Sequence, residues 1–144
     1  MHETPLKALQ LYVGISLACL RRTTVRGFAG CGQSRRREVH LIPQMAETIA
    51  GDISTKLVFS RDGVQVIRSR VAHHIGGVLG DVPADMARAW AGVDATARDG
   101  ARHAIAARIV QRLSERYTVT VQTRAVIVPA ANVWCGLSDA KDET

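Results

Sequence analysis

The side chains able to do chemistry are few, and their spacing suits none of the common sites. His73 and His74 are adjacent, and neighbours in sequence point in different directions on a helix or a strand, so the pair does not form one face of a metal site. No further His, Cys or paired carboxylate stands at ligand spacing, and the simpler expectation packs one of the two beside Ile75 and exposes the other. Cys19, Cys31 and Cys135 lack a C-x-x-C spacing and are odd in number, which implies neither a zinc site nor a closed set of disulfides. Cys135 would need a nearby base and a lowered pKa to act as a nucleophile; beside Trp134 it is expected to be a small packed residue. Asp81, Asp85, Asp94 and Asp99 fall where helix caps are expected. Gly76, Gly77 and Gly80 match neither the P-loop nor the dinucleotide pattern, because no Lys-Ser/Thr follows them. These residues predict no catalytic group, no metal and no cofactor, and they place an enzyme behind two binding roles.

Arginine supplies the remaining chemistry. Arg35, Arg36 and Arg37 form a basic cluster, and Arg108, Arg112 and Arg116 recur every four residues along a helical stretch, so these six are the candidate nucleic-acid contacts. No aromatic residue interleaves with the first cluster, which speaks against a stacking platform for single strands. Glu115 dilutes the second group.

The distribution of charge separates two regions. Of 144 residues with a formal net charge of +6, residues 1–44 carry seven Lys/Arg against Glu3 and Glu38, a net +5. Residues 45–144 carry twelve bases against eleven acids, a net +1. A basic protein commonly meets phosphate or anionic lipid, but here the basic character belongs to the first region. With 47% hydrophobic and only 4% aromatic residues, the core must come from Val, Ile, Leu and Ala. Sixteen arginines against three lysines, with much alanine, point to a GC-rich bacterial genome rather than to a function.

Residues 8–20 form a thirteen-residue uncharged apolar run, short of the roughly 20 residues of a membrane span. Its length suits a secretory signal, but Arg21-Arg22 replaces the small-residue cleavage site and Arg26 follows. Residues 21–44 show no helical or strand period. Residues 1–44 are therefore expected to be a poorly structured basic segment: upstream sequence ahead of a translation start at Met45 or near Val39, or else a targeting or nucleic-acid-binding arm.

Elements are clearer beyond Met45. Thr55–Arg61 and Val64–Arg70 flank Asp62-Gly63, a favoured two-residue hairpin turn, with Phe59 opposite Val66 and Val58 opposite Ile67. A competing reading starts a helix inside Ile67–His74. The glycines of 71–81 suggest a frayed helix or a turn, at about 1 kcal/mol each relative to Ala. Pro83 opens a helix through Met86, Ala89, Trp90 and Val93. The strongest helix follows Asp94 or Asp99, with Ala101, Ile105, Ile109, Leu113 and Tyr117 on one side and Ala106 and Val110 beside them. At Tyr117 the period changes to two, and a strand runs over residues 117–128 to Pro129.

The fold class expected is α+β: a small antiparallel sheet, made of hairpin 55–70 and strand 117–128, packed by two or three helices, with an irregular N-terminal segment. Residues 45–138 would form one domain and residues 139–144 a frayed tail. No known family pattern is matched closely enough to name. The function expected is a non-enzymatic interaction or assembly module in the cytoplasm, forming homo-oligomers or binding a protein partner. The alternative is a nucleic-acid-associated or regulatory protein that uses the six arginines.

Overall fold

In the computed structural model, which describes residues 4–33 and 35–122, the molecule is mostly helical. Among the described residues six α-helices and a small three-stranded sheet make up the fold, and 69% of these residues are helical. This corrects the expected sheet packed by two or three helices behind an irregular N-terminal segment. Three helices account for the difference: α1 (Pro5–Cys19), α2 (Arg22–Ala29) and α3 (Ile42–Ser54).

The reason lies in long-range burial. Along α1, Leu9, Val13 and Leu17 recur every four residues and are fully buried, against α3 and α6 (Ala95–Arg116). The uniform apolarity of residues 8–20 conceals this stripe, since side chains on the opposite face are apolar too. Thr4 caps the helix by accepting a hydrogen bond from Lys7 N at 3.2 Å, and Pro5 occupies its first turn. In α2, Val25 and Phe28 enter the same core. That helix ends at Gly30, whose φ of 81° is left-handed, while Cys31 N donates to Arg26 O at 2.8 Å and Gly30 N to Gly27 O at 3.2 Å. These are the two bonds of a Schellman motif. A single 3-10 turn, Val39–Leu41, leads into α3.

Strand β1 (Leu57–Arg61) and strand β2 (Val64–Gln65) pair antiparallel as expected, with Ser60 opposite Gln65 and Arg61 opposite Val64. Asp62 and Gly63 both have positive φ, as a two-residue turn of this kind requires. The second strand, however, is only two residues long. Ile67 is 66% exposed and serves as the N-cap of α4 (Arg68–Gly80), so the helical reading of this segment prevails over the longer hairpin. Strand β3 (Thr118–Val121) pairs antiparallel with β1, placing Val119 opposite Phe59, and the sheet order is β2-β1-β3. The rest of the expected strand beyond Gln122, with Pro129, Cys135 and the tail at 139–144, lies outside the described residues.

Helix α4 is continuous through Gly76 and Gly77 because Val71, Ala72, Ile75, Val78 and Leu79 are all buried. Each buried aliphatic side chain contributes about 1.5–3 kcal/mol, which outweighs the weak helix propensity of glycine. Helix α5 (Ala84–Ala91) buries Trp90 edge-on to Phe28, with ring centroids 5.8 Å apart. At the N-terminus of α6 Asp94 accepts from Thr96 N at 3.1 Å. Ala101, Ile105, Ala106, Ile109 and Leu113 are its buried residues, and the apolar stripe expected from sequence is the one observed.

Ile109 is fully buried whereas Gln111 is exposed. Ile109→Asp is expected to destabilise the fold by about 4 kcal/mol or more, the penalty of an unpaired charge in the core. Gln111→Asp should cost about 0.5 kcal/mol or less, through repulsion from Glu115 one turn away. Urea denaturation midpoints measure both, and equal midpoints would contradict this packing of α6.

Candidate functional site

The two arginine groups have different surroundings. Arg35 and Arg36 are exposed, and Arg35 N donates to Gly32 O at 3.1 Å with the residue at a φ of 59°. Arg37 turns inward. Its Nη1 donates to Val82 O at 2.7 Å and its Nη2 to Leu79 O at 3.0 Å, and the guanidinium lies 4.6 Å above the Phe28 ring centroid. It thereby neutralises carbonyls at the C-terminal end of α4, where the helix carries partial negative charge. Its Nε is buried with no hydrogen-bond partner among the described residues. Arg22 performs the same task for α5, donating to Ala91 O at 2.6 Å and Gly92 O at 3.1 Å. No sequence signal marked Arg22 or Arg37 for these tasks, because each acceptor is more than forty residues away.

Along α6 the three arginines separate. Arg108 is exposed on the outer surface. Arg112 and Arg116 follow Ile109 at i+3 and i+7, continue its side of the helix, and reach a groove of about 740 Å³ whose other walls come from α3 and α4. His73, His74, Gly76 and Gly77 form its α4 side, and Glu47 contributes from α3. The adjacent histidines therefore line one cavity, although sequence spacing argued against a shared role. Gly77 matters here because a Cβ at that position would stand 3.3 Å from Arg112 Nη1, tighter than ordinary contact. Arg112 also faces Asp81 at 3.9 Å, and Glu47 faces Arg68 at 3.9 Å. No acid lies within ion-pair distance of Arg116 among the described residues.

His74 stands edge-on to His73 and to Tyr117, each with ring centroids 5.6 Å apart. Burial lowers its pKa below the ordinary 6.5, and the positive charges of Arg116, His73, Arg112 and Arg70 lower it further. No group of three or more His, Cys, Asp or Glu able to hold a metal occurs among the described residues. Cys19 and Cys31 are free thiols.

The carboxylates divide similarly. Asp94 is a helix cap, and Asp85 accepts from Met86 N at 2.9 Å in the first turn of α5. Asp81, by contrast, lies at the C-terminal end of α4, and Asp99 lies within α6, 2.9 Å from Arg102.

A second surface is apolar. On α1, Leu11 is 49% and Ile15 50% exposed, and with Gly14 and Ala18 they line a groove of about 650 Å³ against Asp99, Arg102 and His103 of α6. Among the described residues no helix is long and apolar enough to cross a membrane. No protein-family model matches this chain, and neither the curated proteins nor the solved structures contain a significant match to it.

Two outcomes follow from these positions. Arg37→Ala is expected to cost about 2–3 kcal/mol by leaving carbonyls unpaired, whereas Arg35→Ala should change stability by about 0.5 kcal/mol or less; thermal unfolding compares them. Because the folded pKa of His74 is depressed, its contribution to stability is fully present above the unfolded value of 6.5 and is lost as pH falls through the folded value. His74→Gln should therefore flatten the fall in unfolding free energy below pH 6.5, and an unchanged acid limb would refute this assignment.

Proposed function

We propose that this chain is a non-enzymatic interaction module that associates with a second copy of itself through the outer face of α1. The observation that carries this reading is the pair Leu11 and Ile15, half-exposed four residues apart on a helix with no charge between Ala8 and Leu20. Between these residues α1 brings no charge of its own to a two-fold contact, and the flanking Asp99 and Arg102 pair with each other at 2.9 Å.

Gly14 supports the same reading. Glycine in a helix interior costs about 1 kcal/mol relative to Ala, yet a Cβ at Gly14 would meet nothing within 4 Å. Packing within one copy does not account for it. The close approach of a second α1 would, with Gly14 and Ala18 providing the depression that receives Leu11 and Ile15 of the other copy. A fifteen-residue helix is about 22 Å long, so this contact alone falls below the area of a standard interface, and micromolar or weaker association is expected. The exposed thiol of Cys19 suits the reducing cytoplasm in which such a module would work.

Nucleic-acid association has less support. Arg37 is committed to the end of α4 and Arg112 faces Asp81, so two of the six arginines already serve the protein's own structure.

Sedimentation equilibrium tests self-association. The wild-type protein should show a mass that rises with concentration, and Leu11→Glu should remain monomeric. Gly14→Gln should have opposite effects on two readouts, raising the melting temperature through better helix propensity while weakening association. A wild-type protein that stays monomeric throughout would overturn the proposal.

A further inference from the structure

We infer that the groove between α3, α4 and α6 binds the phosphate group of a small phosphorylated ligand, held chiefly by Arg112 and Arg116 and bordered by His73 and His74. This does not rest on self-association through α1, which concerns other residues.

Three observations converge on it. First, the walls of the groove present two arginines and two histidines against one carboxylate, Glu47. Glu47 stands 3.9 Å from Arg68, and the Arg112 contact with Asp81 is equally long, with the Asp81 side chain 77% exposed. Ion pairs so open to water contribute little and yield readily to a better anion. Arg116 has no acidic partner among the described residues.

Second, the placement is built into the backbone of two helices. Arg112 and Arg116 lie one turn apart on α6, and the missing Cβ of Gly77 leaves room for the Arg112 guanidinium against α4. A larger residue at 77 would push that guanidinium aside. Two planar forks carrying full positive charge match the oxygens of a phosphate better than those of a single carboxylate, because a phosphomonoester brings three acceptor oxygens and a charge of about −1.5 to −2.

Third, the local field already favours an anion. His74 is flanked by Arg70 and His73 on α4, by Arg112 and Arg116 on α6 and by the Tyr117 ring, with Glu47 across the groove on α3 and Asp81 beyond Arg112. Burial first, and then the charges of Arg116, Arg112 and Arg70, hold its pKa below the ordinary value. A bound phosphate would offset them, raise the pKa of His74 and turn its ring N–H groups into stronger donors. A groove of about 740 Å³ accommodates a small metabolite rather than the continuous backbone of a duplex.

The test is titration of the full chain with inorganic phosphate, with phenyl phosphate and with a single-stranded oligonucleotide, followed by calorimetry and by the ring signals of the histidines in NMR. Inorganic phosphate and phenyl phosphate should shift the signals of His73 and His74 and move the His74 titration upward. Arg116→Gln and Arg112→Gln should each weaken phenyl phosphate binding about tenfold or more, the loss of one charge-assisted hydrogen bond. Arg108→Gln, outside the groove, should change it by about twofold or less. Three results would overturn the inference: no response of His74 to either phosphate, an equal loss in Arg108→Gln, or binding of the oligonucleotide without binding of phenyl phosphate.

Discussion

Burial of Ile105, Ile109 and Leu113 along α6 is the constraint on which the other elements depend. Helices α1, α4 and α5 all pack on α6, and through them α2 and α3 are held as well. A helix that serves as a common wall in this way must keep a continuous apolar side, and α6 does so for three turns beyond Ala101. The sheet depends on it too, since Tyr117 ends the helix, packs edge-on to Phe59 at 6.5 Å and passes directly into β3. With no loop between them, the phase of α6 also governs which residues of β3 turn inward, and Val119 is the one buried.

Short helices packed in this manner leave carbonyl ends close to the core, where water reaches them poorly. Arginine resolves the problem here. Arg22 closes the end of α5 and Arg37 the end of α4, each from a segment far away in sequence. A guanidinium suits this task because it remains charged and offers several donors in one plane, and in Arg37 the flat face also covers Phe28. Part of the basic excess of the first 44 residues is therefore spent on helix termini. Net charge counted along a sequence does not distinguish such arginines from those that face a partner.

What the sequence disclosed follows the range of the interactions involved. Helix α6, the Asp62-Gly63 turn and the start of α5 at Pro83 depend on neighbours within a few residues, and periodicity or turn chemistry was enough to place them. Helix α1 was obscured because Leu11 and Ile15 are as apolar as Leu9 and Val13, so no contrast marks the buried side. Helix α2 is only eight residues long, and α4 contains glycines that count against a helix until the burial of Ile75 and Leu79 is known. The candidate groove was half legible. Arg112, Arg116 and the histidine pair could all be named, but their meeting depends on the packing of α4 against α6, which no local pattern encodes.

The spacing of the three arginines shows how far a local pattern can carry. Positions i, i+4 and i+8 form one row only if the helix turns by 90° per residue, and at 3.6 residues per turn the row drifts by about 40° at each step. Arg108 therefore lies on the outer surface while Arg112 and Arg116 rotate toward the line of Ile105 and Ile109. Where that line leaves the core, an aliphatic side chain would be exposed and an arginine is not misplaced: its stem covers apolar surface while its charged end reaches solvent or an anion. The same drift that keeps α6 buried along most of its length thus delivers two cations to the mouth of the groove beside α4. Moving both back by one position would take them off the groove wall, so their placement and the core stripe of α6 are two consequences of one helical phase.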